Sequence, residues 1–272
     1  MTTVGIRRGD QAGPAADGVA ARARDVLLSE WIKLRSVRST YWALIVAAVV
    51  SVAGSALAAF PASTAGTGAS LPDPVAFSFV GWAEYPVLAV GILGVLTFTS
   101  ECATGQIRTT FTAVPRRLAV LAAKTVVVAA LALVFGELLA VASFSLTQAI
   151  LSRHGQGVAL SHPGVPGAVL AAGFVLVVVA VTGVALGAAI RHTAGAIAVL
   201  PAVFYLPLAL LSLPAPWNHR IDRFTLPVAA YQVVALHPAT NLLAPALSML
   251  VLIGWPAVIL AIAAILITRR SA

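Results

Sequence analysis

The sequence predicts an all-α integral membrane fold. Six transmembrane helices follow an amphipathic interfacial helix, and the N- and C-termini are cytoplasmic. Three observations carry this prediction. Of 272 residues, 60% are hydrophobic and only 10% charged, against about 25% charge in a soluble domain. Too few polar groups exist to cover a globular surface, so lipid is the solvent for most of the chain. The apolar residues also come as six long, nearly uninterrupted runs, whereas transmembrane strands would alternate over about ten residues. Finally, the basic residues are lopsided. With six spans, all but Arg153, Arg220 and Arg223 of the 17 lysines and arginines fall on one side. The positive-inside rule makes that side cytoplasmic, and an odd number of spans would divide the clusters. The net charge of +8 therefore reports membrane orientation, and no nucleic-acid partner is expected.

Taken in order, residues 1–22 are Gly, Ala, Asp and Arg without periodicity, and predict a disordered cytoplasmic tail. Residues 23–39 predict the interfacial helix. On a helical wheel Leu27, Leu28, Trp31, Ile32 and Leu34 gather on one side. Asp25, Ser29, Glu30, Lys33 and Ser36 gather on the other. Arg24, Arg35 and Arg38 border the apolar arc, where their long stems snorkel.

Residues 40–270 hold the spans, at about 41–60, 77–99, 118–150, 167–190, 194–213 and 242–268. Each is long enough for the roughly 20 residues a crossing needs. The third is too long, so its first turns, Lys124 included, are expected to project into the cytoplasm. Pro201, Pro207 and Pro256 predict kinks, and Gly183 with Gly187 predicts close helix packing. Outside, 61–76 and 152–166 read as turns. Residues 228–236 are apolar but too few to cross, and predict a short interfacial or re-entrant helix.

Several chemistries are missing. The only lysines, Lys33 and Lys124, follow Ile32 and Ala123, so no P-loop lysine exists to cradle nucleotide phosphates. This scarcity of lysine reads as gene composition. No histidine precedes a glutamate, which removes the zinc-protease helix, and no GxSxG elbow is present. Cys102 is the single cysteine and forms no internal disulfide. The expectation is a chain that is not an enzyme and binds no cofactor or metal itself. Two acids stand inside apolar runs. Glu137, beside Gly136 in the third, is costly to bury in lipid. It reads either as a substrate-path or helix-pairing residue or as a hydrogen-bonded structural acid. Glu84 lies near the outer end of the second run and is a candidate at the outer mouth.

One internal segment is polar: SECATGQIRTTFTAVPRR, residues 100–117. Ile107, Phe111 and Val114 recur there at helical spacing. Gly105 breaks the chain after the second span, and Pro115, Arg116 and Arg117 close the pattern. It reads as a short amphipathic helix tied at both ends to membrane helices. So short a helix is marginal in water and needs a surface to dock on.

At these residues the chain resembles a known family, the membrane-spanning permease subunit of type-2 ATP-binding-cassette (ABC) transporters, in its bacterial exporter form with a separate ATPase. SEWIKLRSVRSTYW at 29–42 is similar to that family's amphipathic lead-in helix. FTSECATGQIRTTFTAVPRR at 98–117 is similar to its acid–glycine–arginine–proline loop, and departs from it at Cys102, where a bulky residue is expected. The resemblance implies that the loop docks in a cleft of a cytoplasmic ABC ATPase. Glu101 and Arg108 would pin it, Gly105 would permit its turn, and Ile107 and Phe111 would belong to the same ATPase-coupling set. Pro115, Arg116 and Arg117 would fix its exit, while Glu30, Trp31 and Lys33 would anchor the lead-in helix beside the ATPase. It further implies ATP and Mg on that partner and a second permease chain, in a homo- or heterodimer within the lipid bilayer of the cell membrane. An ion-coupled secondary transporter, or a non-transporting anchor or sensor subunit, are the alternatives.

Overall fold

The computed structural model describes residues 15–36, 38–64, 71, 73–82, 85–107, 117–209 and 221–269. The described chain is helical throughout, without strands. Its helices are α1 (Ala15–Ser36), α2 (Arg38–Thr64), α3 (Pro74–Phe77), α4 (Tyr85–Ala103), α5 (Arg117–Ser152), α6 (Val165–Ile190), α7 (Thr193–Ala209), α8 (Leu226–Val234) and α9 (Pro245–Arg269). Single 3-10 turns occupy Val80–Trp82 and Asp222–Phe224.

Among the described residues, five helical segments are long and apolar enough to cross a membrane: Thr40–Pro61, Val80–Ala103, Arg117–Ser152, Val165–Ile190 and Pro245–Arg269. The architecture is that of a multi-pass helical membrane protein. The run expected at 194–213 forms the 17-residue α7, with its apolar stretch at Thr193–Leu206; residues 210–220 lie outside the described residues. Two further boundaries differ from the expectation. The second run, read as one span from 77, begins as α3 and a 3-10 turn, and the long helix starts only at Tyr85. Pro86 stands in its first turn, where a missing N–H costs nothing. At the N-terminus α1 begins at Ala15, within the stretch expected to be a disordered tail; residues 1–14 lie outside the described residues.

Local chemistry fixes the other ends. The Asp73 carboxylate accepts from Val75 N at 3.0 Å and Ala76 N at 2.9 Å, capping α3. Gly164, at φ 91, leads into α6, whose first turn holds Pro166. At its far end Arg191 takes φ 57 and its N–H reaches Gly187 O at 2.9 Å. That turn sends the chain straight into α7.

Helix α6 is the axis of the bundle. It packs against α4, α5, α7 and α9, and 67% of its most apolar window is buried, against 22% for α9. Small residues permit this. A side chain at Gly94 would strike the Ala180 carbonyl, and one at Gly183 would strike the Gly91 carbonyl. At Gly187 an added Cβ would lie 2.8 Å from Val95 O. Gly183 and Gly187 thus meet Gly91 and Val95 of α4 backbone to backbone, while Gly94 meets Ala180 and Val184, as small-residue helix pairs do in membranes. Helix α2 packs on α5 and α4, α1 on α5, and α8 on α9 and α6. Outward, Trp42, Val49, Leu138 and Leu250 are each more than 60% exposed. Apolar exposure on this scale fits a lipid-facing surface.

Candidate functional site

Four charged side chains from three helices converge at the α1 end of the bundle. Glu30 and Lys33, one helical turn apart on α1, form an ion pair with Nζ–Oε1 2.8 Å. Lys33 Nζ also donates to Glu101 Oε1, near the end of α4, at 2.8 Å. Lys124, in the second turn of α5, donates to Glu30 Oε2 at 2.6 Å and to Glu101 Oε1 at 2.8 Å. Both lysines of the chain are in this cluster, so the scarcity that reads as composition in the sequence is concentrated at one point.

The cluster is neutral as a whole and largely dry. Glu30 and Glu101 are each 4% exposed and Lys124 2%. Lys124, in the turns expected to project into the cytoplasm, is covered by α1, and Glu30 of α1 together with Glu101 of α4 supplies the counter-charge that makes burial tolerable. Lys33 is only half-buried. Burial depresses its pKa, but the hydrogen bonds it donates to Glu101 and Glu30 and the charges of those carboxylates outweigh that and raise it above the ordinary lysine value. Both lysines bond to Glu101 Oε1, while Oε2 is buried and has no hydrogen-bond partner among the described residues.

These contacts decide which face of α1 turns inward. Glu30 is buried and Lys33 half-buried, whereas Leu28, Trp31 and Ile32 are exposed. Of the polar face Glu30 and Lys33 dock on the bundle while Asp25, Ser29 and Ser36 stay exposed, and three of the five apolar residues look outward, an arrangement suited to a lipid surround. Leu34, like Cys102 and Ile107, is partly buried against the core.

The remaining candidate residues divide. Gly105 ends α4 in a left-handed turn, φ 72, with Thr104 Oγ1 bonded back to Ser100 O at 3.0 Å. Arg117 opens α5, and its Nη1 donates to Ile267 O in the last turns of α9 at 3.2 Å. Arg108, Phe111, Pro115 and Arg116, and Glu84 at the other end, lie outside the described residues. Trp31 is 43% exposed on the outward face. Glu137 is not part of the cluster, standing thirteen residues beyond Lys124 on α5, roughly 20 Å along the axis. Its carboxyl lies directly over Gly173 of α6, in the space a side chain there would need, and Gly136 meets the same glycine.

At the α8 end a cavity of about 460 Å³ opens among Phe79, Trp82, Val179, Phe204, Tyr231 and Leu252. Asp73 borders it, yet its carboxylate is already engaged by Val75, Ala76 and the His237 N–H at 2.7 Å. Glu137 does not line it. Sequence reasoning missed Lys124 as a site residue, along with the buried Gln148 and Gln232. The available signal was an isolated polar residue inside an apolar segment. Among the described residues no group of three or more His, Cys, Asp or Glu side chains is placed to hold a metal ion. The α1 cluster therefore offers mechanical and electrostatic coupling between helices. No family model matches the chain, and no curated protein is significantly similar to it.

Proposed function

We propose that the chain is the membrane-spanning permease subunit of an ATP-driven exporter of the type-2 ABC kind. It crosses the cell membrane six times, α7 being the fifth crossing, with both termini and the α1 end in the cytoplasm. It pairs with a second permease chain and with cytoplasmic ATPase subunits, on which ATP and Mg bind and react. The segment 100–117 receives the ATPase.

The observation that carries this reading is the Glu30–Lys33–Glu101–Lys124 cluster. The two stretches that resemble the family, 29–42 and 98–117, are far apart in sequence, yet α1 and the end of α4 are fastened to each other and to α5 by one set of charges. A displacement of the segment after Gly105 is thereby delivered to α1, α4 and α5 together. Gly105 gives that segment a sharp, backbone-defined departure from α4. From α4 and α5 the displacement passes to α6, which packs on both.

Affinity purification of the detergent-solubilised chain from its native host is the test. An ATPase with a P-loop should copurify, and its hydrolysis rate should rise when the two are reconstituted. Glu101→Gln should lower that stimulation several-fold while the complex still assembles. Absence of any associated ATPase, or transport that persists after ATP depletion and stops when the proton gradient collapses, would overturn the reading in favour of an ion-coupled transporter.

A further inference from the structure

A groove of about 400 Å³ runs between α1, α2 and α5. Its origin lies in the charge cluster. Glu30 and Lys33 pull one face of α1 onto α4 and α5, which leaves the adjoining face, with Leu34 and Arg35, standing off from α2 and the middle of α5. The groove's mouth holds Trp31, Arg35 and Tyr41. Its walls farther along are wholly apolar, including Val49, Val134 and Leu138, which are 63%, 62% and 68% exposed.

We propose that this groove binds one acyl chain of an anionic phospholipid, with the headgroup phosphate on Arg35. The walls belong to the lipid-facing surface of the bundle, so the occupant is hydrocarbon. Its length fits: Tyr41 to Val49 is eight residues of α2, a rise of about 12 Å, most of one leaflet of a hydrocarbon core about 30 Å thick. The mouth has the composition of a membrane–water boundary, Trp and Tyr beside a cation. Arg35 is exposed and forms no hydrogen bond or ion pair with any described residue, and among the described residues no carboxylate lines the groove. The neighbouring cluster is self-neutralised, so the mouth carries an uncompensated positive charge. A phosphate diester supplies the complement, and the guanidinium binds it in a fork. A bound lipid touches α1, α2 and α5 at once, and so braces the helix that the charge cluster docks. This inference rests on the membrane architecture and is independent of the transport reading.

The test is native mass spectrometry of the full-length chain, delipidated in mild detergent and then mixed with equimolar phosphatidylglycerol and phosphatidylcholine. Wild-type protein should retain phosphatidylglycerol in at least about ten-fold preference. Arg35→Gln, a change at an exposed position, should reduce that preference to about two-fold or less while hydrocarbon binding persists. Val134→Trp, which fills the groove from its exposed rim, should lower retention of both lipids several-fold. Equal retention of the two lipids by wild-type protein overturns the proposal, as does a preference unchanged in Arg35→Gln. If Val134→Trp instead converts a dimer to monomers and leaves lipid retention intact, the groove is an interface between two copies and the proposal also fails.

Discussion

At the α1 end of the bundle four charged side chains meet, while toward the α8 end two buried glutamines hold the backbone. Gln148 donates to Pro74 O at 2.8 Å and Ser78 Oγ at 3.0 Å, and accepts from Val158 N at 2.8 Å. Gln232 donates to Ala239 O at 3.0 Å and Leu243 O at 2.9 Å, and accepts from Ala239 N at 2.9 Å. Each amide is fully matched, mostly to backbone at helix ends and loops, and is neutral at every pH. The cluster differs in both respects. It joins α1 to α4 and α5 through side chains alone, its members are charged, and Glu101 Oε2 is left over. Amides of this kind fix the shape of loops. A charged joint between whole helices holds them in place yet separates without unravelling any backbone hydrogen bond. The α8 end is thus built to be rigid, and the α1 end to be a joint.

The largest test of that contrast is Lys124→Met. It leaves two buried carboxylates facing Lys33 alone, and removing one partner of a buried ion pair costs about 3–5 kcal/mol. Unfolding of the purified protein in detergent should show a loss of that size. Adding Glu101→Gln to the same chain removes the surplus negative charge and should recover more than half of it. A Lys124→Met protein as stable as wild type would show that the cluster is a surface ornament and would dissolve the comparison.

Much of the architecture is legible in the sequence, and for a plain reason. Lipid demands continuous apolar helices, so 41–60, 118–150, 167–190 and 242–268 reappear within a few residues as α2, α5, α6 and α9. Which of them lies at the centre is not legible from hydropathy. Helices α6 and α9 are equally apolar, yet one is mostly buried and the other mostly exposed, because lipid and protein interior are equally apolar. The informative signal is size: Gly173, Gly183 and Gly187 mark the face of α6 that other backbones approach. The site was half legible. Glu30, Lys33 and Glu101 stand in the two polar segments that the sequence singles out. Lys124 does not, because its pairing with Glu30 spans 94 residues and no periodicity reports it. For the same reason the wheel of α1 gives its two faces but not which of them docks.

A smaller effect is expected at the neutral joint. Gln148→Leu keeps the volume and strips three hydrogen bonds, leaving Val158 N and Pro74 O to find water or go unpaired. Unsatisfied buried groups cost about 1–3 kcal/mol each, and access to water near the 152–164 loop places the total toward 2 kcal/mol. The loss should be the same at pH 6 and pH 9, since neither the amide nor any of its three partners is ionisable. A loss that varies with pH would mean that the two joints are not separate and that the amide is coupled to the charges.

Lys33→Met should have the least effect on stability and the most specific signature. The Lys33 side chain is 36% exposed, and solvent-screened ion pairs contribute about 1 kcal/mol or less. The sign of its pH dependence follows from its raised folded-state pKa. A lysine so raised contributes its full stabilisation below its unfolded value, and that contribution disappears as pH climbs through the higher folded value. The docking of α1 through Lys33 therefore holds across neutral pH and is released only in alkali, above the ordinary 10.5. Hydrogen exchange of the α1 amides against pH reads this directly. Wild-type protein should show a step in exchange on the alkaline side, and Lys33→Met should show already-faster exchange with that step diminished. A release of α1 near neutral pH would assign the joint to some other titrating group. An unchanged alkaline step in Lys33→Met would leave Lys124 alone holding the helix.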